Sequence, residues 1–388
     1  MKKNRKAIEQ LLSPVGAEKT GSKHKRVRPG IALCLSGGGY RAMLFHVGAL
    51  WRLNEAGTLP KLARISSVSG GSITAGVLGM NWSKLDFDER GVARQFVDQV
   101  VTPIRVLADT TIDIPSVLGG LIMPRMKISD ALAVAYGNNL FGDTTLQDLP
   151  KDPCFVINAT NVQSGALWRF MKSDMADWRV GEIKAPRTSL ALAVAASSAF
   201  PPFLSPVNLK LKHSDYRKKS GSDLHKKPFT TDVMLTDGGV YDNLGLETAW
   251  KLYDTILVSD GGGKMEPEAE PLRNWASHYY RINNIIDNQV RSLRKRQVVG
   301  SFVNKSRKGA YWGIRSDIRH FKLKNALRCP FAKTTALADV STRLAKLDAG
   351  MQERLINWGY AVCDAALRKH VNRSLARPKG FIYPKAGV

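Results

Sequence analysis

Residues 31–44 read IALCLSGGGYRAML, and this stretch decides the fold. The apolar run Ile31–Leu35 has strand length and ends at Ser36-Gly37-Gly38-Gly39. Beyond the glycines, Met43, Leu44, Val47, Leu50 and Trp51 recur at helical spacing until near Gly57. The same strand-to-helix turn recurs at Ile65–Val68, where a helix of small residues begins near Gly70. Further strands are expected at Phe155–Ala159, Met234–Thr236 and Thr255–Ser259, with helices at Thr188–Ser198 and Asn243–Leu252. Such alternation implies an α/β fold, a mainly parallel central sheet flanked by helices. The basic, polar stretch His213–Lys227 reads as a surface insertion.

A chain of 388 residues with 44% hydrophobic content can bury a large core. Cys34, Cys154, Cys329 and Cys363 lie far apart with no CxxC pair. That excludes a disulfide-dense scaffold or a zinc ribbon and suits a reducing compartment. No apolar run is long enough for a membrane-spanning helix. Glu9 and Gln10 interrupt what would be a signal-peptide core, so the N-terminus is expected to be uncleaved and cytoplasmic. The net charge of +25 is unevenly spread: residues 1–30 carry nine Lys/Arg against two acids, and residues 273–388 carry 24 against six. The middle is balanced. Basic ends point to a polyanionic partner, a lipid surface or a nucleic acid, or serve solubility alone. No recognised nucleic-acid-binding motif accompanies them, so a nucleic-acid partner is the weaker reading.

Three short motifs carry chemistry. Ser67-Val68-Ser69-Gly70-Gly71 stands where a strand becomes a helix, the place where a nucleophilic serine needs small neighbours. It departs from GxSxG by Ser67 in the first glycine position, and taken alone it is also an ordinary Ser/Gly turn. Ser36-Gly37-Gly38-Gly39-Tyr40-Arg41 exposes backbone amides at a helix N-terminus. That suits an anion, either a phosphate or the oxyanion of acyl transfer, or simply a tight turn. No GK[ST] follows for a P-loop, and Ala42 stands where a dinucleotide fingerprint needs glycine. Thr236-Asp237-Gly238-Gly239 follows an apolar strand, placing an aspartate at a strand's carboxyl end, though Asp-Gly is also a common turn.

The order of these motifs resembles the patatin-like phospholipases: a glycine-rich segment with a basic residue, a serine elbow, then Asp-Gly-Gly. Ala195-Ala196-Ser197-Ser198-Ala199-Phe200-Pro201-Pro202 and Asp237-Gly238-Gly239-Val240-Tyr241-Asp242-Asn243 add to the likeness. The resemblance implies a lipid acyl hydrolase with a Ser69–Asp237 dyad, needing no metal or other cofactor. Gly37, Gly38 and Gly39 would bind the oxyanion, and Arg41 would organise or polarise that loop. The resemblance covers a catalytic domain over roughly 31–262, while the charge split and the helical spacing set off a basic tail over residues 1–30 and a basic, mostly helical C-terminal region over 263–388, expected to pack on or beside the catalytic domain.

A Ser-His-Asp esterase of another family is the alternative, with His278 or His320 completing the triad. His46, behind the glycine loop, reads as structural. In the C-terminal region, Ile282, Ile285, Ile286, Val290 and Leu293 recur at helical spacing. This stripe is expected to pack on the sheet as a core helix. The interspersed Arg291, Arg294, Lys295 and Arg296 are then candidate contacts to an anionic membrane on which the protein sits peripherally. Leu344, Leu347, Met351, Leu355 and Trp358 suggest another amphipathic helix.

Overall fold

In the computed structural model, described over residues 27–112, 128–202 and 204–388, one sheet of 10 strands runs through the chain. The expected basic tail therefore lies outside the described residues as far as residue 26. The strands are β1 (Arg28–Leu35), β2 (Leu62–Ser67), β3 (Cys154–Asn161), β4 (Ala166–Phe170), β5 (Asp174–Asp177) and β6 (Gly181–Lys184). They are followed by β7 (Val207–Lys210), β8 (Asp232–Asp237), β9 (Tyr253–Asp260) and β10 (Lys308–Gly313). The order β10-β9-β1-β2-β3 is parallel throughout. The sheet continues through β4, β5 and β6 with antiparallel pairings, and the β7–β8 hairpin joins β3. Residues 211–231, which include the expected insertion, connect that hairpin.

The parallel half is buried on both faces, which is why its strands read as near-continuous apolar runs. Along β1, Leu33 and Leu35 enter the larger core, while the alternate residues Ala32 and Cys34 enter a second core with Ile256 and Val258 of β9. Helix α1 (Gly39–Glu55) and helix α2 (Gly70–Met80) lie in the larger core. Helix α3 (Leu190–Ser197) joins them there. The second core is closed by Leu244 and Leu246, which follow the turn α4 (Gly239–Asp242), by Ala249 of the turn α5 (Glu247–Trp250) and by Val298 of the long helix α6 (Trp275–Val303). Of the helix expected over 243–252 only the turn α5 forms, because Gly245 takes φ 66° and breaks the run before it.

Residues beyond 262 build into the same body. β10 extends the parallel sheet, and helix α7 (Ala349–Ala366) crosses α1. A Cβ on Gly48 would overlap the Ile356 carbonyl oxygen, and one on Gly359 would overlap that of Phe45. The two helices therefore meet backbone to backbone. Arg52 Nε reaches the buried Asp364 Oδ1 at 2.9 Å across the same contact. Helix α7 is buried nearly all round after Leu355 instead of along one stripe.

The stripe on α6 corrects the sequence reading. Ile286 is 56% and Leu293 59% exposed, and Ile282, Ile285 and Val290 are exposed as well. Arg291, Arg294 and Lys295 turn toward the protein instead. The helix packs by its charged side because acidic groups wait for it there, which the spacing of apolar residues cannot reveal.

Gly359→Val should wedge α7 off α1 and destabilise the protein by about 3 kcal/mol, the scale of severe overpacking. The midpoint of thermal unfolding reads this. Gly300→Ala on α6, where a Cβ meets nothing within 4 Å, should leave that midpoint unchanged or slightly raised.

Candidate functional site

The carboxyl ends of β9, β1 and β2 are level: Leu35 pairs with Ser67 on one side and Ser259 on the other. Each strand then hands its chain to a loop at this edge. Asp237 arrives from β8, which runs antiparallel to β3, with Asp237 opposite Ala159. The expected parallel strand before Asp237 is thus an antiparallel one, but it still delivers the aspartate to the same edge.

Ser69 sits between β2 and α2 with φ 52° and ψ −121°. For a residue with a side chain this conformation costs about 1–3 kcal/mol and survives only where its surroundings over-determine it. They do so through close backbone approach. A Cβ on Gly70 would overlap the Gly39 carbonyl oxygen, and one on Gly71 would lie 2.5 Å from the Leu35 carbonyl oxygen. Ser69 N–H donates to Ser197 Oγ at 3.0 Å, and Ser197 Oγ donates to the Asn158 carbonyl at 2.6 Å. Ser67 needs no glycine-like backbone; its hydroxyl reaches the Val156 carbonyl and accepts from Ser72 at 3.0 Å. The departure from GxSxG is therefore absorbed by a buried hydroxyl network. Ser197 and Asn158 were not singled out by sequence reasoning; the only signal was the small-residue run containing Ser197.

The Asp237 carboxylate accepts the Gly239 amide at 2.6 Å, and the nearby Ser69 side chain also favours its charged form. Burial pushes Asp237 up to about 7, against both of these influences, and the charge of Asp287 on α6 adds to the rise. Ser69 and Asp237 are both nearly covered.

The glycine loop lies alongside. Gly37 N–H donates to the Asn243 carbonyl at 3.1 Å, and its Cα faces Ser69 Cβ. Gly38 (φ 140°) and Gly39 (φ 58°) take conformations that favour glycine. Their two amides have no hydrogen-bond partner among the described residues. Tyr40 N–H is held by the Arg343 carbonyl at 3.1 Å. Arg41 is buried, and its guanidinium donates to the carbonyls of Gly261, Ala338 and Val340 at 3.3 Å or less. It ties the loop to the C-terminal region with four of its five N–H groups.

His46 is buried, with Nδ1 2.8 Å from Ser259 Oγ and Nε2 2.9 Å from the Ser36 carbonyl oxygen. Burial lowers it to about 4, so it is neutral and fixes the loop's first residue. His278 and His320 are exposed, on α6 and on the turn Ile318–Phe321. Among the membrane-contact candidates, Lys295 Nζ lies 3.1 Å from Asp260 Oδ2 and Arg294 reaches Glu247 at 3.3 Å. Arg291 pairs with Asp287 and donates to the Gly263 carbonyl at 2.8 Å. Burial alone would raise Asp260, but the Lys295 charge, the Tyr311 hydroxyl and the Gly262 amide hold it well below the usual range. Arg296 stays exposed, its Nε directed at the Ser292 carbonyl of its own helix. Among the described residues, no group of three or more His, Cys, Asp or Glu side chains is placed to hold a metal ion. None of their helices is long and apolar enough to cross a membrane.

A hydroxyl on a strained turn, a buried carboxylate beside it and two unpartnered amides form an α/β site suited to acyl transfer. Residues 33–250 match the model of the patatin-like phospholipases, more than half of the chain, and the protein belongs to that family. No curated protein sequence matches. Among solved structures, human GIVD cytosolic phospholipase A2 is 13% identical with a TM-score of 0.39, covering 63% of this chain and 49% of its own. The same protein bound to methyl gamma-linolenyl fluorophosphonate is 14% identical with a TM-score of 0.47, covering 87% and 57%. VipD from Legionella pneumophila is 16% identical with a TM-score of 0.37, covering 88% and 67%. The chain thus spans about half the length of the human enzyme.

The raised Asp237 has a consequence for stability. Its folded-state value of about 7 lies above the ordinary 3.8, so the proton is held more tightly in the folded chain. The stability this supplies is complete below pH 3.8 and is lost as pH rises toward and through 7. Asp237→Asn should therefore lack this fall. Urea midpoints of the two proteins at pH 5 and pH 8 should differ in slope, with the variant gaining relative to wild type at pH 8.

Proposed function

We propose that the protein is a lipid acyl hydrolase that cleaves carboxylic ester bonds of the phospholipase A type, using Ser69 as nucleophile and Asp237 as its base. The observation that carries this reading is Ser69, on a strained strand-to-helix turn, acting on a carboxylate that burial poises near pH 7. A base with that affinity can both take and return a proton at neutral pH. The family membership supplies the lipid ester as substrate class.

In this reading Ser69 Oγ attacks the ester carbonyl carbon while its proton passes to Asp237. The carbonyl oxygen becomes an oxyanion held by the Gly38 and Gly39 amides. Collapse of the tetrahedral species expels the alcohol, which takes the proton from Asp237 and leaves acyl-Ser69. Water then attacks the acyl carbon, gives a proton to Asp237 and releases the carboxylic acid as Ser69 recovers its own. Gly37 contributes room beside Ser69, and Arg41 organises the loop through its carbonyl anchors. Residues 263–388 belong to the catalytic unit, since two of those anchors, Ala338 and Val340, lie there.

Ser69→Ala and Asp237→Asn should each lower kcat/KM on a soluble short-chain ester by about a thousandfold or more. Ser72→Ala should act more mildly, and His278→Ala and His320→Ala should match wild type. Wild-type kcat/KM should rise with pH through about 7 as Asp237 ionises. A folded but inactive His278→Ala or His320→Ala protein would replace the dyad by a triad.

A further inference from the structure

We infer that the outward face of α6 is the surface by which this protein docks on an anionic lipid bilayer, inserting apolar side chains instead of resting on its basic ones. The helix has 29 residues, about 43 Å at 1.5 Å per residue. Its inner side is held by the ion pairs of Arg291, Arg294 and Lys295. Its outer side carries Trp275, Tyr279, Ile282, Ile286 and Leu293, all exposed, Trp275 at 84%. A contiguous apolar stripe this long is not left facing water without an occupant. Tryptophan and tyrosine at its N-terminal end suit the boundary between headgroups and acyl chains, where one side of the ring is apolar and the other wet.

Charge and position select a bilayer over a second copy of the chain. The protein carries a net charge of +25, so bringing two copies together sets like charges against each other, whereas anionic headgroups attract them. The helix itself has five Lys/Arg and one acid, Asp287, which is on the inner side with Arg291. The inner side of the same helix borders the candidate site. Asp287 acts on Asp237, and Arg294 acts on Tyr241 of α4, where the neighbouring Val240 is exposed. A bilayer on the outer face of a helix whose inner side borders the site would bring the ester close to Ser69. This inference rests on the lipid-hydrolase reading above for its choice of occupant.

The test uses the full chain with Ser69→Ala, so that lipid is not consumed, in flotation with phosphatidylglycerol–phosphatidylcholine vesicles. Binding should weaken but persist at about 0.5 M NaCl, where charge attraction is largely screened. Adding Trp275→Ser, Ile286→Ser and Leu293→Ser together should lower vesicle affinity by about a hundredfold. The same three changes on the Ser69 protein should leave hydrolysis of a soluble short-chain ester unchanged, which also shows that the fold is intact. Vesicle binding that is absent in the Ser69→Ala protein, or equal with and without the triple change, would overturn the inference. So would a dimer in light scattering that the triple change converts to monomer, since a second copy would then own the face. If the unmutated protein hydrolyses no ester yet binds vesicles through this face, the docking stands and the hydrolase reading falls.

Discussion

The backbone of Ser69 is the constraint on which the rest of the site depends. Its φ of 52° is tolerable only because β2 and α2 are pinned against the glycine loop by Gly70 and Gly71, neither of which has room for a methyl group. That crowding sets the loop and the serine turn at van der Waals distance. Ser197, Asn158, Ser67 and Ser72 satisfy the polar groups buried by the approach. Without that network the strain would relax by moving the serine, the one atom group whose position matters most.

Electrostatics at the same edge follow from burial. Asp237 is held near neutral affinity for a proton because few groups stabilise its charge, whereas Asp260, equally buried, is surrounded by Lys295, Tyr311 and the Gly262 amide and stays ionised. Two buried carboxylates at the ends of β8 and β9 thus have opposite charge states favoured. Asp260 fixes α6 to the sheet, and Asp237 remains free to exchange a proton. The C-terminal region is part of this arrangement: the family match ends at residue 250, but the loop's Arg41 anchors at Gly261, Ala338 and Val340.

Much of this was legible in the sequence where local pattern and tertiary role coincide. The runs Ile31–Leu35 and Thr255–Ser259 are strands because they are buried on both faces, and burial on both faces writes an unbroken apolar run. The three motifs are visible because tight turns leave only glycine and serine as choices. What escaped depends on partners far away in the chain. That β8 would run antiparallel to β3 is set by the β7–β8 hairpin, and an apolar run has no direction. The Gly37 amide lost its expected free state to the Asn243 carbonyl, and no residue type signals a backbone acceptor. On α6 the period of the apolar stripe was readable, but its side was not. Asp260 and Glu247, remote in sequence, draw the basic face inward and leave the apolar one outside.

The central claim is that Ser69 is activated by Asp237 alone. The most direct measurement is the rate at which a fluorophosphonate modifies the protein, followed by mass spectrometry of the labelled peptide across pH 5 to 9. The account predicts one adduct, on Ser69, forming at a rate that rises through about pH 7 and loses that rise in Asp237→Asn while keeping it in His278→Ala and His320→Ala. Labelling at another serine, or a Ser69 rate that is indifferent to Asp237→Asn, would contradict it.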